Sequence, residues 1–558
     1  APPGIGKTAV PMTILLAILR GYFPYASSVI HVAPMRSLID DLADRLRGSL
    51  AKLVGDHLSM ELVARQHGFA HETYGLMAPY TITTFDTYLY NFYKLPTNEI
   101  IKIYEGSYGH YEVPRSSILS ALNFLDEVHM AIEEGSIMAD AVAESIRALA
   151  SFKVPTVIST ATLSSYLLNH ISGLVGKNSI ELIDYEEYLS SHGADDFYLV
   201  ESSKVFKPLA GNPLVKVRDL CGVDEEPLRE LVRELLDSTE SGYRASIVVN
   251  AVEIAKCIYL KLRNRGNVIL IHSRFNPKDR LDKLQALKSG RGVLLVSTQV
   301  LEVGVDVSFD AMISQISPPS SLIQRMGRLA RGEKSIEGRW AIITSDEDLS
   351  KGSGVYPLDI VNITWDILSS IIGSGKMINW HLPRSIDGSF RGYMDILDSV
   401  WTSSSLNKPY LGSESFFKAL TSPSINSEEV FKFLKIIGGF RDENICSLYV
   451  YERDVSELLD IRNIWSRSIP ISCEHMLSYI EKAIGKGYNI YILERRKANN
   501  GSFIGLDTDY SQVDLMKLEN LKAELRKDPL SFTIKYLGVA IPSTLYDGGV
   551  YGIGLRDV

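Results

Sequence analysis

Cysteine is scarce in this chain, glutamine is rare for its length, and long hydrophobic runs are missing. The four cysteines, Cys221, Cys257, Cys446 and Cys473, stand far apart and never form a C-x-x-C pair. Such spacing argues against a zinc site, an iron–sulfur cluster or a disulfide framework, and it fits a reducing cytoplasm. No window reaches about 18 apolar residues without a break, so no membrane span is expected. The longest candidate, residues 14–19, is cut by Arg20 and has the character of a buried helix. Six glutamines stand against 28 tyrosines, a sparseness of amides that a thermophilic origin or simple drift in composition explains equally well. Excess positive charge is absent too: the net charge of −9 does not favour nucleic acid as a partner, although a strand-binding protein needs a basic groove rather than a basic whole. An initiator methionine is also lacking. The chain starts at Ala1 directly in a motif, without the strand that normally precedes it, so a fragment that has lost its N-terminal part is expected.

What is present is ordinary globular material in an informative order. A chain of 558 residues is too long for one core and suggests three domains. Short apolar runs alternate with helical stretches through the first two-thirds. Strands are expected at 29–33, 80–84, 122–125 and 154–159, then at 246–250, 268–272, 292–297, 311–316 and 340–344. That alternation predicts parallel sheets covered on both faces. Residues 226–241 carry Leu228, Leu231, Val232, Leu235 and Leu236 at helical spacing, a helix leading into the second sheet. Beyond about residue 370 the pattern loosens. The expected fold class is therefore α/β: two tandem parallel-sheet lobes, 1–185 and 186–370, followed by a smaller α+β C-terminal domain over 371–558.

The opening Ala1-Pro2-Pro3-Gly4-Ile5-Gly6-Lys7-Thr8 ends in the G-K-T of a phosphate-binding loop, with Ala in place of the first Gly. Gly4 and Gly6 let successive backbone N–H groups converge on a phosphate, and the following helix adds its positive end. Lys7 would neutralise the β- and γ-phosphates, and Thr8 would offer its hydroxyl to Mg²⁺. Asp126-Glu127-Val128-His129 follows the apolar strand at 122–125, which places two acids at the carboxyl edge of the sheet. Asp126 would hold the Mg²⁺ and Glu127 would orient and deprotonate the attacking water. Alone, such a pair is usually a solvated strand end; a phosphate loop upstream in the same lobe argues otherwise. Ser159-Thr160-Ala161-Thr162 ends the next strand, where Ser159, Thr160 and Thr162 can relay contacts from the acids towards the second lobe.

Gln324-Arg325-Met326-Gly327-Arg328-Leu329-Ala330-Arg331 is the most specific text in the second lobe. Arg328 and Arg331 fall on one helix face at i and i+3 spacing, and planar guanidinium groups there can reach a γ-phosphate from the opposite lobe, with Gln324 beside them. Ahead of it, Thr298 and Gln299 follow a strand and can contact a nucleic-acid phosphate. Gly304 and Asp306 come next, with Asp306 placed either to bind the nucleotide's ribose or to brace Arg328. Weaker strand-binding candidates are Pro34 and Arg36 after the first strand, Thr84 after the second, and Asn250, Ser273 and Arg274 in the second lobe. A threonine like Thr84 is, taken alone, more often an ordinary helix cap.

In order, G-K-T, P-M-R, T-T-F-D, D-E-V-H, S-T-A-T, T-Q-V-L-E-V-G-V-D and Q-R-M-G-R-L-A-R resemble the superfamily 2 DExD/H helicases over residues 1 to about 345. The resemblance implies two RecA-like lobes with ATP in their cleft and a nucleic-acid strand across both, with His129 coupling the acids to Gln324. A narrower similarity lies in Ile271-His272-Ser273-Arg274-Phe275, Asp279-Arg280, Ser308-Phe309-Asp310 and Ser317-Pro318-Pro319, and faintly in Tyr546-Asp547-Gly548-Gly549. These resemble the CRISPR-associated helicase of type I interference. That family implies 3′-to-5′ movement on single-stranded DNA and partnership with a crRNA-guided surveillance complex. Many members also carry an HD nuclease, yet none of the 11 histidines here is followed by Asp. A separate HD nuclease, or one in a lost N-terminal part, is expected. The rival readings are a general DExH helicase acting on RNA or in DNA repair, and an ATP-switched nucleic-acid clamp that does not unwind.

Overall fold

The computed structural model describes residues 9–67, 70–96, 99–104, 110–132, 137–176, 201–302, 307–331, 337–351, 355–385, 387–403, 414–422, 424–437, 439–440, 444–458, 468–497, 503–549 and 552–553. In the first lobe the strands are β1 (Val29–Ala33), β2 (Val63–His67), β3 (Ala70–His71), β4 (Tyr80–Thr84), β5 (Leu122–Asp126) and β6 (Thr156–Ser159). They lie in the order β3-β2-β4-β1-β5-β6, parallel except for the short β2–β3 pair. β1 and β4 are buried at all five positions, as strands covered by helices on both faces must be. Because these strands run the same way, Pro34, Thr84, Asp126 and Ser159 all arrive at one edge; Ala33 pairs with Thr84 and Asp126 with Ser159.

The second lobe repeats the plan with β7 (Val205–Pro208), β8 (Leu214–Val217), β9 (Ala245–Val248), β10 (Val268–Ile271), β11 (Leu294–Ser297), β12 (Ala311–Gln315) and β13 (Glu337–Ser345). The order is β10-β11-β9-β12-β13-β7, with β8 pairing further along β13, and every pairing is parallel. The expected leading helix spans Leu228–Glu240 and buries Leu228, Leu231, Val232 and Leu235 against this sheet. Four strands of the two lobes escape the sequence reading. β2 runs from two apolar residues into Arg65, Gln66 and His67 without alternating, β3 is only two residues long, and β7 and β8 are edge pieces of four residues each.

The C-terminal region holds a short two-stranded piece, β14 (Ile378–Asn379) with β15 (Arg391–Gly392), and a mixed sheet of β16 (Ile445–Tyr451), β17 (Ser468–Ser472), β18 (Tyr491–Lys497), β19 (Phe503–Gln512) and β20 (Tyr536–Pro542), ordered β17-β16-β20-β18-β19. Helices Cys473–Gly485 and Leu515–Lys527 share its core. Other parts of the region belong to the lobes. Helices Glu414–Leu420 and Ser427–Ile437 put Phe417, Leu420, Val430 and Leu434 into the first-lobe core, where Arg115 Nη2 donates to Thr421 O at 2.6 Å. Ile378, Trp380 and Ile396 join the second-lobe core instead. The architecture is thus two RecA-like lobes followed by an α+β region that grips both.

One exclusion drawn from the sequence is corrected. Cys221 is disulfide-bonded to Cys257 and Cys446 to Cys473, with Cα atoms 5.9 and 5.0 Å apart. Cys446 lies on β16 and Cys473 directly after the antiparallel β17, so sheet pairing brings together residues that linear spacing separates. Spacing along the chain therefore does not exclude a disulfide framework. Among the described residues no helix is long and apolar enough to cross a membrane.

Candidate functional site

In the first lobe the acid box sits where the sequence predicts. Glu127 leaves β5 with a left-handed φ of 48°, and its N–H donates to Ser159 O at 2.7 Å. That conformation costs a residue with a Cβ about 1 kcal/mol, which the sheet-end hydrogen bond helps to offset. The turn brings two further groups to the carboxylate. Ala161 N–H donates to Glu127 Oε2 at 3.4 Å, and His129 Nδ1 stands 3.4 Å from the same oxygen. His129 Nδ1 also meets Thr160 Oγ1 at 2.7 Å, and Thr162 N–H donates to Thr160 Oγ1 at 3.1 Å. Asp126, Glu127, His129, Ser159, Thr160 and Thr162 therefore form one connected group.

Beneath it lies a residue the sequence reading missed. His31, fully buried on β1, faces Asp126 Oδ2 with Nε2 at 3.5 Å and Tyr80 OH with Nδ1 at 2.8 Å. Burial and the nearby Asp126 charge push the Tyr80 phenol well up, so the phenol stays protonated. The only signal available was a histidine in a strand that is otherwise apolar and β-branched.

The phosphate-loop residues Gly4, Gly6, Lys7 and Thr8 lie outside the described residues, as do Gly304 and Asp306. The described chain begins with helix Ala9–Leu19, directly after Thr8 in sequence. Pro34 is half-buried at the end of β1, and helix Arg36–Val54 starts two residues later. Thr84 caps helix Phe85–Phe92, its Oγ1 accepting from Thr87 N at 3.3 Å.

In the second lobe helix Pro319–Met326 starts on Pro319, where a missing N–H costs nothing, and carries Gln324 half-exposed. The helix ends at Met326, so Arg328 and Arg331 stand not on one helix face, as their spacing predicts, but in the turn beyond Gly327, where Ala330 takes a left-handed φ of 51°. Arg325, fully buried, is the hub of this turn. Its Nε donates to Glu302 Oε1 at 2.8 Å, its Nη1 to Ser314 Oγ and Gln315 O, and its Nη2 to Asn250 Oδ1 at 3.0 Å. Burial pushes the Glu302 carboxyl up, and the Arg325 charge opposes that shift. Arg328 Nη2 donates to Glu302 O at 3.0 Å, and Arg331 N–H donates to Ser308 Oγ at 2.8 Å.

The proposed strand contacts of this lobe divide. Asn250 is buried and its amide is spent on Arg325 and on Ile316 O, so it braces the arginine turn from inside. Gln299 Nε2 donates to Asn250 O at 3.0 Å, and Thr298 is buried at the end of β11. Ser273 is exposed, whereas Arg274 is half-buried and paired with Glu253. Two distant pieces of text that carried the narrower resemblance meet here. Tyr546 OH donates to Asp279 Oδ2 at 2.5 Å and accepts from Asn276 N–H at 2.9 Å, while Lys283 Nζ donates to Gly549 O at 3.0 Å.

A family model described as CRISPR-associated nuclease/helicase Cas3, C-terminal, matches residues 241–334, the stretch from β9 through the arginine turn. The CRISPR-associated helicase Cas3 of Thermoproteus tenax is 27% identical over 397 residues, 69% of this chain and 62% of the relative. In sequence and fold the chain resembles the Cas3-type superfamily 2 helicases. The nuclease/helicase Cas3 of Methanothermobacter thermautotrophicus is 26% identical, covering 69% of this chain and 44% of the relative. Among solved structures, T. fusca Cas3 with AMPPNP aligns at a TM-score of 0.59 and 17% identity over 85% of this chain and 61% of that one. The chain therefore spans less than two-thirds of the length of these Cas3 relatives.

Proposed function

We propose that this chain is an ATP-dependent helicase or translocase on single-stranded DNA, the motor of a type I CRISPR interference system. The observation that carries this reading is the pair of built groups at the ends of two parallel-sheet lobes in a Cas3-type fold. One is the acid box joined to S-T-A-T; the other is the arginine turn braced by Glu302 and Asn250. Lys7, with Gly4 and Gly6, would bind the phosphates of ATP, and Gly304 and Asp306 would meet the nucleotide from the second lobe. A magnesium ion, whose preference is for hard oxygen donors, suits the Asp126 carboxylate and Thr8 hydroxyl and would supply charge neutralisation at the phosphates. Glu127 accepts a proton from the attacking water, with His129 and Ala161 N–H holding its carboxylate. Arg328 and Arg331 supply positive charge to the transferring phosphoryl group when the lobes close.

Pro34, Arg36, Thr84, Ser273, Arg274, Thr298 and Gln299 line the strand path in this reading, and Asn250 acts through Arg325. We further propose the division into 1–185, 186–370 and 371–558, the last lending helices and strands to both lobe cores, with movement 3′ to 5′ and work in the cytoplasm with a crRNA-guided complex and a separate HD nuclease. A structure described as a CRISPR RNA-guided surveillance complex before nicking contains a chain that aligns at a TM-score of 0.53, which supports partnership of that kind through the shared fold.

The deciding experiment is steady-state ATP hydrolysis by the purified chain with single-stranded DNA, RNA or neither, beside strand displacement on a 3′-tailed duplex. Stimulation by DNA with displacement is the expected result. Stimulation by RNA alone would transfer the chain to general RNA helicases, and hydrolysis without displacement would make it a clamp.

A further inference from the structure

Resting on that reading, we propose that Lys204 is a positioning residue for Arg331, and that Glu201 and His381 hold Lys204 in place. Lys204 Nζ donates to Ala330 O at 2.9 Å. Ala330 lies in the left-handed region at φ 51°, between the two arginines. The carbonyl of Ala330 and the N–H of Arg331 belong to one rigid peptide plane. Lys204 pins the oxygen of that plane, and Ser308 Oγ pins its N–H at 2.8 Å. With both ends held, the plane cannot rotate, and the direction in which the chain presents Arg331 is fixed. The turn is packed from the other side as well. Gly338 stands so close that a Cβ there would lie 2.7 Å from Leu329 Cγ, and Phe309 exchanges backbone hydrogen bonds with Arg328 and Ala330.

The ammonium that does this is buried, its side chain only 2% exposed. Glu201 Oε1 accepts from it at 2.8 Å, and Glu201 Oε2 accepts from His381 Nδ1 at 2.5 Å. Burial alone would raise the Glu201 carboxyl, but hydrogen bonds and charge from His381 and Lys204 outweigh it and hold the group below the usual carboxylate range. Desolvating such charges is expensive, and an apolar trio of similar volume would stabilise the lobe at least as well. Stability therefore does not account for the trio, whereas orientation of a carbonyl does. Its members come from separate stretches: Glu201 and Lys204 precede β7, and His381 follows β14 (Ile378–Asn379). Asn379 closes the junction, its Nδ2 donating to Glu201 O at 2.9 Å and its Oδ1 accepting from His381 N–H. The entry to the second lobe, the segment leaving it and the arginine turn are thereby tied at one point.

The test uses the full chain and four variants: Lys204→Met, Ser308→Ala, Arg331→Ala and the double Lys204→Met/Arg331→Ala. Nucleotide affinity, read by fluorescent-ATP titration, should stay within about twofold of the parent in Lys204→Met while strand-stimulated kcat falls about tenfold or more. Ser308→Ala, a milder change at the other end of the same peptide, should lower kcat in the same sense. If Lys204 acts through Arg331, adding Lys204→Met to Arg331→Ala should cost less than about twofold more. Multiplying losses, or a near-parent kcat in Lys204→Met, would overturn the proposal. Amide exchange gives a readout independent of turnover: the Arg331 N–H should exchange about tenfold faster in Lys204→Met. A parent chain without strand-stimulated hydrolysis would remove the proposed function. The exchange result would still decide whether Lys204 pins this turn, and unchanged exchange would refute it.

Discussion

The two halves of the candidate cleft are stiffened by different means. In the first lobe Glu127 owes its position to the sheet: its N–H bonds to Ser159 on the neighbouring β6, and its carboxylate touches Ala161 N and His129 only at 3.4 Å. In the second lobe the arginine turn is held by side chains from remote segments, among them Lys204, Ser308, Glu302 and Asn250 through Arg325. Both halves place a non-glycine residue at positive φ, Glu127 itself at 48° and Ala330, next to Arg331, at 51°. Main-chain pairing thus fixes where the acid stands but leaves its carboxylate room to adjust to water. A charge that must meet a phosphoryl group across a gap gains more from being set in advance.

If that contrast holds, the largest effect belongs to the preset side. Arg331→Lys keeps the charge and loses the planar fork, so strand-stimulated turnover should fall ~10³-fold with ATP and DNA binding retained. Steady-state hydrolysis beside a nucleotide titration checks this; near-parent turnover would show that Arg331 does not act on the phosphoryl group. Glu127→Gln comes next. It preserves shape and removes the base, so ATP should bind as before while hydrolysis slows ~10²-fold. Equal loss of ATP binding in Glu127→Gln would show that the carboxylate shapes the pocket rather than moving a proton.

The same contrast explains what the sequence could reveal. Strand ends in a parallel sheet share an edge, so the apolar run before Asp126 and the one before Ser159 were enough to predict that these residues meet. Arg328 and Arg331 stood out as candidates in their own text. Lys204 did not, because it lies far off in sequence and is indistinguishable there from a surface residue, and Ser308 stood out only within a motif that gave no sign of its bond to Arg331 N–H. Asn250 shows the converse: a polar residue after a strand suggests a ligand contact, but β9 is central and its end is covered, so the amide turns inward to Arg325. The disulfides and the split allegiance of residues 371–440 depend on tertiary packing that no local pattern encodes.

The smallest effect should come from Thr160, which joins the acid box to the following loop through a single hydroxyl. Thr160→Val keeps the volume and removes the contacts to His129 Nδ1 and Thr162 N–H. A neutral hydrogen bond is worth about 1 kcal/mol net, so strand-stimulated kcat should drop about fivefold, well short of Glu127→Gln. ATP affinity should not move, because Thr160 touches the acid box through His129 rather than through the nucleotide. Thr160→Ser restores the hydroxyl and should restore turnover. If Thr160→Val instead falls as far as Glu127→Gln and Thr160→Ser rescues it, the first lobe too depends on a side-chain clamp. The contrast between a sheet-set acid and a clamp-set arginine would then be wrong.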